Sequence, residues 1–346
     1  MIQFYAPLTG YASFATVARG LIEEINKSIP VCAYDIDPAK RYDGITCTRG
    51  GIIEAAPVAL YVGPILQSPA YLAKHKIKIG CFVCEADKLP AGMVEVCNSL
   101  DLICVPSLWC KSVFIKSGVQ REILIVSHGV HEAYRPIGNP GEIFTLLHLC
   151  SSVKYPERKG TPQLIEAFQK LNLASKSIQL TIRTVGYPTE DWEQRILVGK
   201  VRGVALESTA TDRPSIHARR YNQVHAIVQP SRAEGFGIVP LEARACGVPV
   251  LYNAATGFGM HFPIEKPASV GVVGVRVGDL EFSWGDEEGL APGLNSDDVA
   301  MALQELLLNY RILRQNALKN SEVVRKEWAW SKVTSIFREK LKEIIK

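Results

Sequence analysis

The sequence predicts an α/β protein made of two Rossmann-like, doubly wound domains. Three observations lead there. Short apolar runs alternate with amphipathic helical stretches along most of the chain, the pattern of parallel strands joined by helical crossovers. A length of 346 residues exceeds what one core usually organises. Between Arg135 and Gly141 the alternation gives way to RPIGNPG, a proline- and glycine-rich link. The expected domains are residues 1–138 and 139–328, followed by a terminal helix over 329–346.

Taken in order, IQFYA is the first strand, followed by the loop PLTGY and an amphipathic helix from Ser13 to Ile25. A strand, a glycine turn and a helix N-terminus make a weak anion-binding signal around Gly10. IPVCAYDID is a second strand ending in Asp35 and Asp37. That D-x-D precedes Pro38 and a polar turn, where acids commonly cap loops, so loop capping outweighs metal binding. APVALYVGP, KIKIGCFVCE and LDLICVPS read as further buried strands. WCKSVFIKSGV is a helix closed by Gly118, and REILIVSHGV a strand leading into the link. The second domain opens with the strand EIFTLLHLC, then SSVKYPERKG, then a helix begun by Thr161 and Pro162. SIQLTIRTVG is the next strand, and residues 187–219 are polar and poorly periodic. HARRYNQVHAIVQPS restores a helix and a strand. Residues 253–289 are loop-rich, and two helices end the chain, one N-capped by Ser296 and one beginning near Trp330.

Composition narrows the class. The chain is 47% apolar and 21% charged with a formal net charge of +4, which suits a globular protein and offers no reason to invoke nucleic acid. No run approaches the roughly 18 apolar residues of a membrane span, and MIQFYAPLTG lacks the features of a signal peptide. The expected location is cytoplasmic, with room for a peripheral membrane contact. Nine cysteines, including Cys32, Cys104, Cys150 and Cys246 in apolar segments, fit buried reduced thiols better than a disulfide framework. Cys81 and Cys84 form a C-x-x-C but sit in a strand without a second pair, which argues against zinc or redox chemistry.

The richest stretch is QPSRAEGFGIVPLEARACGVPVL, residues 229–251. Gly235 and Gly237 let the backbone bend, and Pro240 is tolerated in the first turn of a helix, where its missing N–H has no partner to lose. The unpaired N–H groups of that turn, together with the helix dipole, favour an anion near Phe236 to Val239. Glu234 and Glu242 flank this anion site, and carboxylates accept hydrogen bonds from neighbouring sugar or ribose hydroxyls. Phosphate plus hydroxyls points to a sugar nucleotide, whereas the spacing of the two acids alone would favour a surface helix with an ordinary Glu in its first turn. Arg158 and Lys159 stand ahead of another helix start, where two cations usually mean only solvent exposure, although a diphosphate would need such groups within contact distance.

This stretch closely resembles the E-x7-E signature of retaining, family 4 type glycosyltransferases of GT-B fold, which implies two Rossmann-like domains facing each other across a cleft. Matching positions are Pro230, Ser231, Glu234, Gly235, Phe236, Gly237, Glu242, Ala243, Ala245, Gly247, Pro249 and Val250. The resemblance implies a hexosyltransferase-type enzyme that moves a sugar, with retention, from a nucleotide-diphosphate donor to a hydroxyl acceptor such as a glycan, a lipid-linked or a small molecule. It assigns Arg158, Lys159 and Glu234 to catalysis. It assigns Gly10, Arg158, Lys159, Glu234, Phe236, Gly237, Ile238, Val239 and Glu242 to the donor, with Glu234 on the sugar and Glu242 on the ribose. Tyr11, Glu85 and Asp87 fall on the acceptor side. Relatives carry RKG or R-x5-KG near Lys159, so either Arg158 or Lys154 is its partner. SHGVHEAYRP resembles the family's link, with Tyr134 where Phe is usual. In such proteins the terminal helix crosses back to the first domain. With those cations in place no metal and no cofactor are expected. Glu234, as a loop carboxylate, is expected to add nothing to the core. A non-catalytic nucleotide-sugar or glycan binding protein of the same fold is the alternative.

Overall fold

Runs of β-branched and aromatic residues that are apolar on both faces form strands covered by helices on each side. IQFYA, buried throughout, is β1 (Ile2–Ala6). With β2 (Val31–Asp35), β3 (Thr48–Arg49), β4 (Val58–Val62), β5 (Ile77–Cys81), β6 (Leu102–Val105) and β7 (Ile123–Ile125) it forms a sheet ordered β3-β2-β1-β4-β5-β6-β7. The second sheet contains β8 (Phe144–Leu149), β9 (Ile178–Val185), β10 (Val204–Thr209), β11 (Ala226–Gln229), β12 (Val250–Asn253) and β13 (Val272–Val275), ordered β10-β9-β8-β11-β12-β13. Every pairing in both sheets is parallel. Each sheet therefore carries the Rossmann order and reverses its direction of growth once, at β1/β4 and at β8/β11. Crevices for ligands open beyond the carboxyl ends of strands at such switch points.

This computed structural model describes residues 1–8, 13–37, 48–49, 56–150, 156–185, 201–209, 213–253, 255, 257, 267–282 and 289–346. The chain divides into one unit of Met1–His131 with Glu327–Lys346 and a second of Glu132–Lys326. The first division falls before residue 138, because the link is tied to the second unit. Asn222 Nδ2 donates to the Arg135 carbonyl at 3.0 Å, and the Ile137 N–H donates to Asn222 Oδ1 at 2.8 Å.

The chain's end packs into the first unit. The Val130 N–H donates to the Trp328 carbonyl at 2.7 Å, and Val130 bridges Ala329 in parallel. Trp330 packs against the helix Ser13–Asn26 at Gly20, where a methyl group would come within 2.2 Å of the indole. Phe337 and Leu341 from the last helix, Ser335–Ile345, are fully buried in the first core.

Several elements depart from the sequence expectation. β10 lies in the stretch read as polar and poorly periodic; among the described residues it is the edge strand of its sheet and so tolerates polar residues. β13 lies in the segment read as loop-rich. The helix Tyr310–Glu327 was not anticipated, since its buried stripe is narrow and includes Arg314 and Ser321 beside Leu313, Ala317 and Val324. The N-cap of the helix Ser296–Leu308 is Asn295 rather than Ser296, with its Oδ1 accepting from the Asp298 N–H at 2.8 Å.

Asp35 caps a loop: its Oδ1 accepts from the N–H groups of Leu8 at 3.1 Å and Asp37 at 3.0 Å. Among the described residues no group of three or more His, Cys, Asp or Glu side chains is arranged to hold a metal. The described cysteines, Cys81 and Cys84 among them, are buried free thiols. Among the described residues no helix is long and apolar enough to cross a membrane.

The Trp330 contact yields a test. Trp330→Ala should destabilise the first unit by about 3 kcal/mol, the usual scale for a buried aromatic. Hydrogen exchange should then quicken at β1 and β4 and stay unchanged at β8 and β11.

Candidate functional site

The second sheet's switch point is built by side chains that continue backbone pairing where the strands part. The β8–β11 ladder pairs Leu146 with Ala226 and Leu147 with Ile227. Beyond it the Gln229 amide takes over: Nε2 donates to the Leu149 carbonyl at 2.9 Å, and Oε1 accepts from the Leu149 N–H at 3.3 Å. His148, fully buried on β8, fixes the helix that follows. Its Nδ1 faces the Val228 carbonyl at 2.8 Å and must carry the proton, so Nε2 accepts from the Thr161 hydroxyl, also at 2.8 Å. Burial pushes this imidazole down to about 4, so it is neutral at physiological pH.

Two loops close on each other above this platform. Gly160, at φ +69°, precedes the helix Thr161–Lys170, and a methyl group there would lie 2.5 Å from the Pro230 carbonyl oxygen. The Arg232 N–H donates to the Arg158 carbonyl at 2.8 Å, and Arg158 Nη1 donates to the Ala233 carbonyl at 3.0 Å. Lys159 Nζ forms an ion pair with Glu234 Oε1, and Arg158 Nη1 lies 3.9 Å from the same oxygen. The Glu234 side chain is only 12% exposed. Burial alone would raise its carboxyl, but Lys159 and Arg158, with hydrogen bonds from Lys159 and Ser231, hold it below the usual carboxylate value. The expectation that Glu234 adds nothing to the core is thus corrected: it neutralises two cations and joins the loops.

The helix Ile238–Ala245 starts from Gly237 at φ +82°, with Pro240 in its first turn. Its leading N–H groups, at Ile238 and Val239, have no partners within the helix. Phe236 is buried and anchors the turn. Asn253, at the end of β12, donates from Nδ2 to the Ser231 carbonyl at 3.0 Å and accepts from the Ala255 N–H at 2.8 Å. Gly257 donates its N–H to the Glu234 carbonyl at 2.7 Å, and a methyl group on it would lie 2.3 Å from Gly235 backbone atoms. Gly257 therefore braces the loop that carries Glu234.

Glu242 has a different environment. Its Oε2 accepts from the Tyr221 hydroxyl at 3.1 Å, and the Tyr134 hydroxyl also bonds the carboxylate. Burial pushes the carboxyl up to about 7, against the two phenols, which favour the charged form.

Arg158, Lys159, Glu234 and the turn Phe236–Val239 thus gather at one switch point, with Glu242 on the helix that follows. Glu85 and Asp87 are half-buried in the first unit, in the loop after β5. Gly10, Tyr11 and Lys154 lie outside the described residues. Sequence reading missed Gln229, Asn253, His148, Tyr134 and Tyr221 as parts of this framework. For Gln229, Asn253 and His148 the available signal was a polar residue within or ending an apolar strand, since buried polar groups must find partners; Tyr134 in the link and Tyr221 on a helix carried no such signal.

Two doubly wound units, one with cations and carboxylates at its switch point, define the architecture of GT-B glycosyltransferases. The chain belongs to the family 4 glycosyltransferases: the family described as "Family 4 Glycosyltransferase in conflict systems" matches residues 123–336. The D-inositol 3-phosphate glycosyltransferase of Actinosynnema mirum is 40% identical over 194 residues, covering 50% of this chain and 45% of that protein. A homologue of the same name from Arthrobacter sp. is 27% identical over 136 residues, covering 36% of this chain and 31% of that protein. The matches thus span less than half the length of these curated relatives. Among solved structures, sucrose-phosphate synthase from Thermosynechococcus elongatus superposes with a TM-score of 0.71 at 15% identity, covering 99% of this chain and 98% of the other. Anabaena Alr3699/HepE in complex with UDP-glucose gives a TM-score of 0.68 at 13% identity, covering 99% of both chains.

Glu242 makes stability depend on pH. The folded carboxyl keeps its proton up to about pH 7, while an unperturbed one releases it near 4.5. The folded state therefore binds more protons across that window, and the stabilising contribution, full at low pH, is lost as pH rises through about 7. Glu242→Gln removes this loss. Its thermal stability relative to wild type should rise between about pH 5 and pH 8, by on the order of 2 kcal/mol. A pH-independent difference would contradict the burial argument.

Proposed function

We propose that this chain transfers a sugar from a nucleotide-diphosphate donor to a hydroxyl acceptor, with retention of anomeric configuration and without a metal ion. The observation that carries the reading is the convergence of Lys159 and Arg158 on Glu234, beside the first turn of the helix Ile238–Ala245. As the glycosidic bond to the donor phosphate breaks, negative charge grows on the diphosphate and the sugar becomes oxocarbenium-like. The leaving group therefore needs preorganised positive potential. Lys159, Arg158 and the leading N–H groups of the helix supply it, and a well-placed donor of this kind is worth roughly 3 kcal/mol in the transition state.

In this reading Lys159 exchanges its bond to Glu234 for one to a phosphate oxygen. Glu234, kept ionised by the same cations, then accepts hydrogen bonds from sugar hydroxyls and holds the anomeric carbon for attack. The two roles depend on each other, because a protonated Glu234 would turn one acceptor site into a donor and leave Lys159 unneutralised. The HepE structure, solved with UDP-glucose, and the glycosyltransferase names of the curated relatives support a nucleotide-sugar donor.

Replacing Glu234 with Ala should lower kcat by at least about 10²-fold, while affinity for the nucleoside diphosphate is kept or improved, since Lys159 loses its internal competitor. Steady-state kinetics and calorimetry on the purified variant decide the matter; transfer at the parental rate would refute the assignment. The wild-type rate should be unaffected by EDTA, and a loss restored by Mn²⁺ would overturn metal independence.

A further inference from the structure

Tyr134 stands where the resembled family pattern has Phe, and its hydroxyl is the atom this chain adds. The ring is buried against Tyr221, with centroids 5.8 Å apart. Both hydroxyls turn to the same carboxylate: Tyr221 lies 3.1 Å from Glu242 Oε2, and Tyr134 forms a second side-chain hydrogen bond to Glu242. The segment carrying Tyr134 is held by Asn222, which bonds Arg135 and Ile137. Tyr221 and Asn222 are adjacent on the helix Pro214–Asn222, so one helix end places both phenols around Glu242.

We propose that Tyr134 is a positioning residue for Glu242: with Tyr221 it occupies two of the carboxylate's acceptor positions and leaves the others for the vicinal hydroxyls of a ribose. An ionised carboxylate offers about four lone-pair sites. Two phenols saturate half of them and fix the plane of the group. A vicinal diol brings two donors, which matches the remainder. Phenol hydroxyls can fix a carboxylate without contributing positive charge. The groups facing Glu242 are Tyr134 from the link, Tyr221 from the helix Pro214–Asn222, and Cys246 from its own helix end, while Arg183 acts on Tyr221 and Arg314 on Cys246. The hydrogen bonds from Tyr134 and Tyr221 are thus what favour the charged form of a carboxyl that burial would neutralise.

The inference rests on the nucleotide-sugar reading, and the test separates the two. In full-length protein, ¹³C-carboxyl NMR of labelled Glu, with the Glu242 signal identified by its loss in Glu242→Gln, should show the titration midpoint of Glu242 moving up by about half a pH unit or more in Tyr134→Phe. Tyr221→Phe should move it in the same direction and serves if Tyr134→Phe fails to fold. Binding of UDP-, GDP- and ADP-glucose should be about threefold to tenfold weaker in Tyr134→Phe at pH 6.5, converging on wild type by pH 9. An unmoved midpoint, or a loss of affinity equal at every pH, would overturn the positioning role. If wild-type protein binds none of the three, the donor reading fails while the carboxyl titration still decides the role of Tyr134.

Discussion

Strands β8 and β11 must part at their carboxyl ends, because their crossovers leave to opposite faces of the sheet, and the parting exposes backbone groups that need partners. The Gln229 amide supplies them on one side, and the Asn253 amide does the same for the loop after β11. His148 and Thr161 lock the next helix to the end of β8. The rest of the site depends on this repair. With the strand ends fixed, the Arg158–Lys159 loop and the Glu234 loop can meet closely enough to tolerate only glycine at 160 and 257.

The repaired switch point carries two carboxylates in opposite electrostatic conditions. Glu234 is surrounded by cations and held below its usual value, whereas Glu242 is surrounded by phenols and raised to about 7. Environments that drive like groups apart are a common way to give them different tasks. One carboxylate is tied to a lysine and lies beside an arginine. The other is oriented by neutral donors whose influence is felt chiefly near neutral pH. Arg183 extends the polar framework towards β10, with Nη1 3.2 Å from His217 Nδ1 and Nη2 3.6 Å from Glu207.

Much of the fold was legible because parallel strands buried on both faces announce themselves as continuous apolar runs, as in IQFYA and APVALYVGP. β10 was hidden by its place at an edge, and the helix Tyr310–Glu327 by a buried stripe that includes Arg314, whose guanidinium bonds the Gly247 carbonyl. The motif residues Arg158, Lys159, Glu234 and Phe236 to Glu242 were marked out by the resemblance of short contiguous stretches to a family signature. Their supports were not: that Gln229 would answer Leu149, or Tyr134 would reach Glu242, depends on strand order and on contacts between segments far apart in sequence. The loss of the expected inertness of Glu234 has the same origin, since its partners come from a different crossover.

The central claim is that the switch point of the second unit holds a diphosphate between Lys159 and the start of the helix Ile238–Ala245. A crystal structure of the protein with UDP-glucose, or with whichever nucleotide sugar binds, tests it most directly. The account predicts phosphate oxygens within hydrogen-bonding distance of Lys159 Nζ and of the Ile238 or Val239 N–H, with Glu234 moved from Lys159 to the sugar. A nucleotide bound elsewhere, or bound here with the Lys159–Glu234 pair intact, would contradict it.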